Sequence, residues 1–126
     1  MNFQYKKEKT FEQRQGEFQR ISRKHPDKIP IICEKDPKSK IKKIEKTKYL
    51  IEKTLNLPQF SGTIRSKLEL KETDALFFLV NGKISLSGTV QMEDVYKNYK
   101  EKDGFLYITY SSEETWGNKS IYLYTI

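Results

Sequence analysis

The feature that most constrains the fold is a strand-like segment with apolar side chains on both of its faces. Residues 28–34 read KIPIICE, a run rich in β-branched residues. Because side chains alternate along a strand, Ile29, Ile31 and Cys33 share one face and Pro30 and Ile32 share the other. The second apolar pair needs a covering surface of its own. The chain must therefore place other elements on both sides of this strand.

Segments flanking this strand predict two helices and a partner strand. Thr10 and Gln13 have the spacing of a capping box, and the helix that they start should cover residues 11–24 and end before Pro26. Residues 48–51 predict an antiparallel strand. A second helix is expected over residues 57–68, capped in the same way by Asn56 and Gln59.

The second half of the chain predicts two further strands and one helix. Residues 75–80 are continuously apolar, which is typical of a strand buried on both faces in the centre of a sheet, and a tight-turn signal follows at residues 81–82. Apolar residues near helical spacing predict a helix that begins close to Met92. The last strand is expected over residues 105–110.

This order predicts an α+β fold. A hairpin followed by a crossover helix and further strands gives a mixed, β-grasp-like sheet with a helix on one face. A short helical piece over residues 3–9 and the helix over residues 11–24 are additional to that core, and they should pack on the other face. At 126 residues, the chain is long enough for one domain.

The composition argues against an enzyme and a metal site. Cys33 is the only cysteine and lies on the inward face of its strand, so a packed, inert thiol is expected in a reducing compartment. The only histidine, His25, precedes a proline at a helix end. Neither a Cys/His cluster nor a glycine-rich phosphate loop is found, so no cofactor is expected.

The charge leaves a different class of function open. The net charge is +7, and much of the excess lies between Lys35 and Lys48. Such a field attracts nucleic acid, acidic peptides or anionic surfaces. With four arginines in the chain, a specific nucleic-acid site is the weaker reading. The alternative function is therefore an unconjugated basic binding module in which residues 118–126 form a structural strand.

Five segments in order carry a family resemblance. They read HPDKIPIICEK at residues 25–35, KYLI at 48–51, IR at 64–65, DALFFLVN at 74–81 and FLYITYS at 105–111. Together with Trp116-Gly117, they resemble the autophagy-related protein 8 family of ubiquitin-like modifiers. The resemblance implies a ubiquitin-like β-grasp with two additional N-terminal helices. It implies one domain over residues 1–117, with a helical extension over about residues 1–25 and a removable tail at 118–126.

The resemblance also implies covalent attachment to a lipid. Gly117 matches the residue after which a cysteine protease cuts, and Trp116 stands where the family usually has phenylalanine or tyrosine. E1-like and E2-like enzymes would then join the glycine to phosphatidylethanolamine, whose two acyl chains hold a membrane stably. The implied location is the cytoplasm and, after lipidation, autophagosomal and vacuolar or lysosomal membranes. A monomer is expected.

A peptide groove is the second implication of the resemblance. Cargo receptors and adaptors would add an aromatic-x-x-aliphatic strand to the hairpin edge. Matches to the aromatic pocket are Glu17, Ile21, Pro30, Ile32, Lys48, Leu50 and Phe105. Matches to the aliphatic pocket are Tyr49, Ile51, Leu55, Phe60 and Thr63. Lys28, Lys46, Lys48 and Lys67 would receive acidic flanks.

Two residues of this groove depart from the family pattern. Glu52 replaces a usual proline, and Thr63 replaces a larger apolar residue, so the aliphatic pocket should be shallower or more polar. We expect Leu50→Arg or Ile32→Arg to weaken peptide docking while the fold survives.

Overall fold

The computed structural model describes residues 3–113. Within this range, four helices and five strands form an α+β arrangement. The elements are α1 (Gln4–Glu8), α2 (Phe11–Lys24), β1 (Lys28–Lys35), β2 (Lys48–Glu52), α3 (Leu57–Leu68), β3 (Phe77–Val80), β4 (Ile84–Ser85), α4 (Met92–Tyr99) and β5 (Leu106–Ser111).

The strands form one mixed sheet in the order β2-β1-β5-β3-β4. β1 pairs with β2 as an antiparallel hairpin and with β5 in parallel. β3 lies antiparallel to both β5 and β4. The hairpin and the parallel crossover pairing predicted from the sequence are therefore confirmed. In the part of the chain that the structure describes, β2 is an edge strand.

Both long predicted helices begin at reciprocal caps. The Thr10 hydroxyl accepts from the Gln13 amide at 3.2 Å, while the Gln13 side chain accepts from the Thr10 amide at 2.8 Å. Asn56 and Gln59 repeat the arrangement at 3.0 and 2.8 Å. These bonds satisfy amides that have no partner within a helix, so each helix begins just after its cap. The predicted start of each helix is confirmed.

The sheet is covered on both faces, as the alternation in β1 predicts. Ile29, Ile31 and Cys33 lie in the larger core cluster, together with residues from α3 and α4. Ile32 lies in a second cluster on the opposite face, which α1 and α2 cover. Its buried members are Phe3, Tyr5, Ile32, Phe105 and Tyr107, and Phe18 and Ile21 pack against them.

A buried carboxylate fastens α2 to the start of β5. Asp103 is 1% exposed and accepts from Arg14 Nε at 2.9 Å, from the Tyr107 hydroxyl at 2.5 Å and from the Phe105 amide at 2.9 Å. Burial of an ionised carboxylate is costly unless several donors surround it. These three donors offset that cost and fix the position of α2 on the sheet.

Two predictions for the second half of the chain are wrong in detail. The run at residues 75–80 begins its strand only at Phe77, Ala75 is exposed, and the central strand is β5 rather than β3. The two-residue strand β4 was missed because two residues carry no periodic signal. The tight turn between β3 and β4 is confirmed, with φ of 54° at Asn81 and 70° at Gly82.

Candidate functional site: the edge of β2

Among the strands of residues 3–113, β2 has one edge without a partner, and its pairing with β1 fixes which of its backbone groups face outward. Pro30 lies opposite Leu50 and has no amide hydrogen, so this pair cannot exchange hydrogen bonds. The backbone groups of Tyr49 and Ile51 therefore form the hydrogen bonds to β1. The same alternation places Thr47 in a hydrogen-bonded position, and its carbonyl accepts from the Cys33 amide at 2.8 Å. The N–H and C=O groups of Lys48 and Leu50 point away from the sheet.

The predicted aromatic-pocket residues come together on the face of the sheet that α2 covers. Leu50 is half-buried opposite Pro30, and Lys48 lies opposite Ile32. Ile32 and Phe105 are 0% and 1% exposed and form the floor of the second cluster, against which Ile21 packs. Leu50 therefore presents accessible apolar surface beside the outward backbone groups, whereas Ile32 is fully buried.

Glu17 and Lys48 form an ion pair that joins α2 to the edge strand. The Lys48 ammonium donates to Glu17, and so does the Tyr5 hydroxyl. Burial alone would raise the pKa of the Glu17 carboxyl, but the bonds from Lys48 and Tyr5 outweigh burial, and the net pKa lies below its ordinary value. Glu17 therefore stays ionised and holds the Lys48 ammonium at the rim of the predicted aromatic pocket.

The predicted aliphatic-pocket residues lie on the opposite face, between β2 and α3. Tyr49, Ile51 and Phe60 are 6%, 6% and 0% exposed and belong to the larger core cluster. Leu55 and Thr63 are half-buried. Leu55 and Thr63 therefore provide the surface that a ligand can reach, while the other three side chains are buried in the core. Thr63 also donates its hydroxyl to the Gln59 carbonyl at 3.4 Å, so this surface is partly polar.

The predicted flank lysines have different surroundings. Lys28 pairs with Glu52 at 2.8 Å across the hairpin. Lys46 places its ammonium 5.4 Å from the centre of the Tyr49 ring, whose hydroxyl donates to the Lys46 carbonyl at 2.7 Å. Lys67 is exposed in the last turn of α3. Lys28 and Lys46 thus flank the edge strand, while Lys67 lies on α3.

Two residues behind this site were missed from the sequence. Glu34 is 9% exposed and accepts from the amides of Gln4 and Tyr5 at 2.7 and 3.0 Å, which caps α1 against β1. Tyr5 in turn reaches Glu17. The sequence does indicate the position of Glu34, because alternation along β1 places this acid on the same face as Pro30 and Ile32. Tyr5 had no such signal, since its role depends on a contact distant in sequence.

The sequence also predicts the roles of Trp116, Gly117 and Cys33. Trp116 and Gly117 lie outside the described residues. Cys33 is fully buried, which raises the pKa of its thiol, so the thiolate needed for nucleophilic chemistry is disfavoured. Within residues 3–113, we find no grouping of acids, histidines and cysteines suited to a metal ion, and no helix with the length and apolarity to cross a bilayer.

Comparison with known proteins assigns the chain. A family model described as autophagy protein Atg8, ubiquitin-like, matches residues 13–117, which is most of the chain. The chain belongs to the Atg8 family. The crystal structure of Trypanosoma brucei ATG8 superposes with a TM-score of 0.85 at 39% sequence identity, over 91% of this chain and 98% of that one. The ubiquitin-like fold and the autophagy family expected from the sequence are thus confirmed.

Proposed function

We propose that this Atg8-family chain is a lipid-conjugated modifier that docks peptides on membranes. In this proposal a cysteine protease removes residues 118–126, and E1-like and E2-like enzymes transfer Gly117 to phosphatidylethanolamine. The protein then acts as a scaffold rather than as an enzyme, recruiting cargo receptors and adaptors to autophagosomal and vacuolar or lysosomal membranes. Residues 1–117 are the unit that remains after processing.

The observation that carries the docking half is the open edge of β2. Within residues 3–113, the outward N–H and C=O groups of Lys48 and Leu50 have no strand partner, and an extended peptide satisfies them by adding a strand. The half-buried Leu50 lies on one side of that edge, and Leu55 and Thr63 lie on the other. Because successive side chains of an added strand point to opposite faces, aromatic and aliphatic anchors on opposite faces meet both surfaces.

The conjugation half is supported by chemistry at the end of the chain. Glycine has no Cβ, so its backbone fits a narrow enzyme channel and exposes its carbonyl to attack. Phosphatidylethanolamine supplies the amine nucleophile and brings two acyl chains, enough for stable anchoring. The alternative of a basic module that stays unconjugated has its own support in the exposed lysines at positions 38, 40, 42 and 43 of the β1–β2 loop.

Conjugation is tested by intact mass and by flotation with liposomes containing phosphatidylethanolamine. We expect the family protease to leave a product ending at Gly117, and the conjugation enzymes to make that product float. Gly117→Ala should abolish flotation, while Gly62→Ala, at an open position on α3 where an added Cβ meets nothing within 4 Å, is the matched control. An unchanged mass after protease treatment would favour the unconjugated alternative.

Docking is tested by calorimetry with an aromatic-x-x-aliphatic peptide. Leu50→Arg places a charge on the accessible side of the groove, and we expect an affinity loss of at least about tenfold, or about 1.4 kcal/mol. Lys53→Ala, just beyond β2, is the control for a change near the strand that leaves the edge intact. Equal affinity of Leu50→Arg and the unaltered chain would rule out this edge.

A further inference from the structure

The end of β5 lies close to the start of β2. Lys48 of β2 and Tyr107 of β5 both lie opposite Ile32, so they are at the same level of the sheet. β5 continues for four residues beyond that level, and the Ser112 amide then donates to Ser39 Oγ in the β1–β2 loop at 3.2 Å. The chain therefore leaves β5 at the end of the sheet from which β2 starts.

The residues that follow β5 are long enough to reach the edge of β2. A strand added there lies three strand spacings of about 4.8 Å from β5, and Lys48 lies four residues of about 3.3 Å below Ser111, which is about 20 Å in all. The ten residues from Ser112 to Ile121 span up to about 33 Å when extended. The spare length allows a path around the β1–β2 loop, after which the chain runs along β2 in the direction of Glu52.

Residues 121–126 have the composition of an edge-pairing strand. They read IYLYTI, with β-branched and aromatic residues and without a charged side chain, glycine or proline. Tyr122 and Thr125 are three positions apart, so an extended backbone sends them to opposite faces. An aromatic ring beside the half-buried Leu50 and a threonine beside the half-buried, partly polar Thr63 match the two surfaces of the β2 edge.

Two features favour the edge of β2 over the other edge of the sheet. That other edge is β4, which in the part of the chain that the structure describes is only two residues long, too short to pair with a six-residue segment. The path to β2 also has complementary charge. Glu113 and Glu114 begin it, and the β1–β2 loop that it crosses carries the exposed Lys42 and Lys43.

We propose that, before processing, residues 121–126 pair in parallel with the edge of β2 as an autoinhibitory strand. They take the outward backbone groups of Lys48 and Leu50 that a peptide needs, so the unprocessed chain is closed to peptides. The pairing can be weak, because a short linker gives the segment a high effective concentration. This inference rests on the proposed function and adds an order to it: docking follows cleavage.

Cleavage removes the block because it cuts the tether. Hydrolysis of the bond between Gly117 and Asn118 consumes one water, leaves a carboxylate on Gly117 and an amine on Asn118, and releases residues 118–126 as a free peptide. The free peptide loses its high effective concentration and dissociates by dilution. One reaction thus exposes the group to be conjugated and opens the docking edge. The pairing is temporary, unlike the structural strand of the unconjugated alternative.

The first test is hydrogen exchange of the full chain, which needs neither protease nor peptide. Leu123→Pro/Tyr124→Pro removes a backbone donor in either register of the added strand. If the segment occupies the edge about four fifths of the time, this variant should raise the exchange rates of the Lys48 and Leu50 amides about fivefold. Asn118→Pro/Lys119→Pro places the same two prolines before the segment and should leave both rates within about twofold.

The second test is calorimetry with an aromatic-x-x-aliphatic peptide and the same full-length variants. Leu123→Pro/Tyr124→Pro should bind the peptide about fivefold more tightly than the unaltered chain, and Asn118→Pro/Lys119→Pro should bind like the unaltered chain. A peptide that binds none of the three proteins would refute docking at β2, while the exchange rates still decide whether the segment pairs there. The two proposals therefore fail separately.

Three results would overturn the autoinhibitory strand. The first is equal exchange of the Lys48 and Leu50 amides in the unaltered chain and in Leu123→Pro/Tyr124→Pro. The second is an equal effect of the two double-proline variants, which would mean that position in the segment is irrelevant. The third is protection that disappears on dilution together with a dimer in sedimentation, which would place the segment on a second copy of the chain.

Discussion

At the scale of single residues, Gly104 shows how closely α2 lies on the sheet. Its φ is +103°, and a Cβ built there would lie 2.3 Å from the Phe18 ring. Gly104→Ala should therefore destabilise the fold by about 2–4 kcal/mol, because it adds backbone strain to an overlap that Phe18 cannot relieve without moving α2. Chemical denaturation measures this free energy. Gly62→Ala, with open space around the added Cβ, is the control and should not destabilise the fold; equal stability of the two variants would refute the close packing.

Glu17 gives a second prediction at this scale, on pH. Its pKa is lowered in the folded state, so the stability that it contributes is present above the ordinary glutamate pKa and is lost as the pH falls through the lowered value. Because the Lys48 side chain is 43% exposed, solvent screens the pair and the contribution should be small, about 0.5–1 kcal/mol. The free energy of unfolding, measured from pH 7 to pH 3, should fall less steeply for Glu17→Gln than for the unaltered chain. Glu12→Gln, exposed in the first turn of α2, should follow the unaltered chain; a parallel course for Glu17→Gln would contradict the ion pair.

At the scale of elements, the alternation of β2 makes a prediction about the ligand. Only every second backbone amide of an added strand can pair with Lys48 and Leu50. N-methylation of the peptide amides in that register should weaken binding by about tenfold or more, since each methyl group removes a donor and leaves a carbonyl unpaired. Methylation of the intervening amides should cost little. Calorimetry that finds the two methylation patterns equivalent would exclude strand addition.

The elements also show what a single sequence can predict. Reciprocal caps and helical spacing are local signals, so α2 and α3 were predicted with their observed bounds. Strand order is not local: the run at residues 75–80 reads as a central strand, yet β5 takes the centre because it pairs in parallel with β1. The resemblance places Glu17 and Lys48 in one pocket, and the structure shows them paired. The Tyr5–Glu17 contact and the Asp103 network were beyond prediction, since each joins residues that are distant in the sequence.

At the scale of the whole molecule, one sheet serves as the floor for two hydrophobic clusters. Ile32 belongs to the second cluster and is fully buried, so its charge variant is a stability test rather than a docking test. Ile32→Arg should destabilise the fold by more than about 3 kcal/mol, since an unpaired charge would be buried. The expectation from the sequence that Ile32→Arg keeps its fold is therefore revised. Leu50→Arg, on the accessible side of the same face, is the matched comparison, and a similar melting temperature for both variants would contradict the two-cluster account.

The proposed function requires Gly117 to tie the body that carries the β2 edge to a membrane. The direct test of this claim is the mass of the protein after incubation with the family protease, the E1-like and E2-like enzymes and liposomes containing phosphatidylethanolamine. We predict a product that ends at Gly117, carries one phosphatidylethanolamine and floats with the liposomes. A protein that keeps Ile126 and stays at the bottom of the gradient would contradict the account.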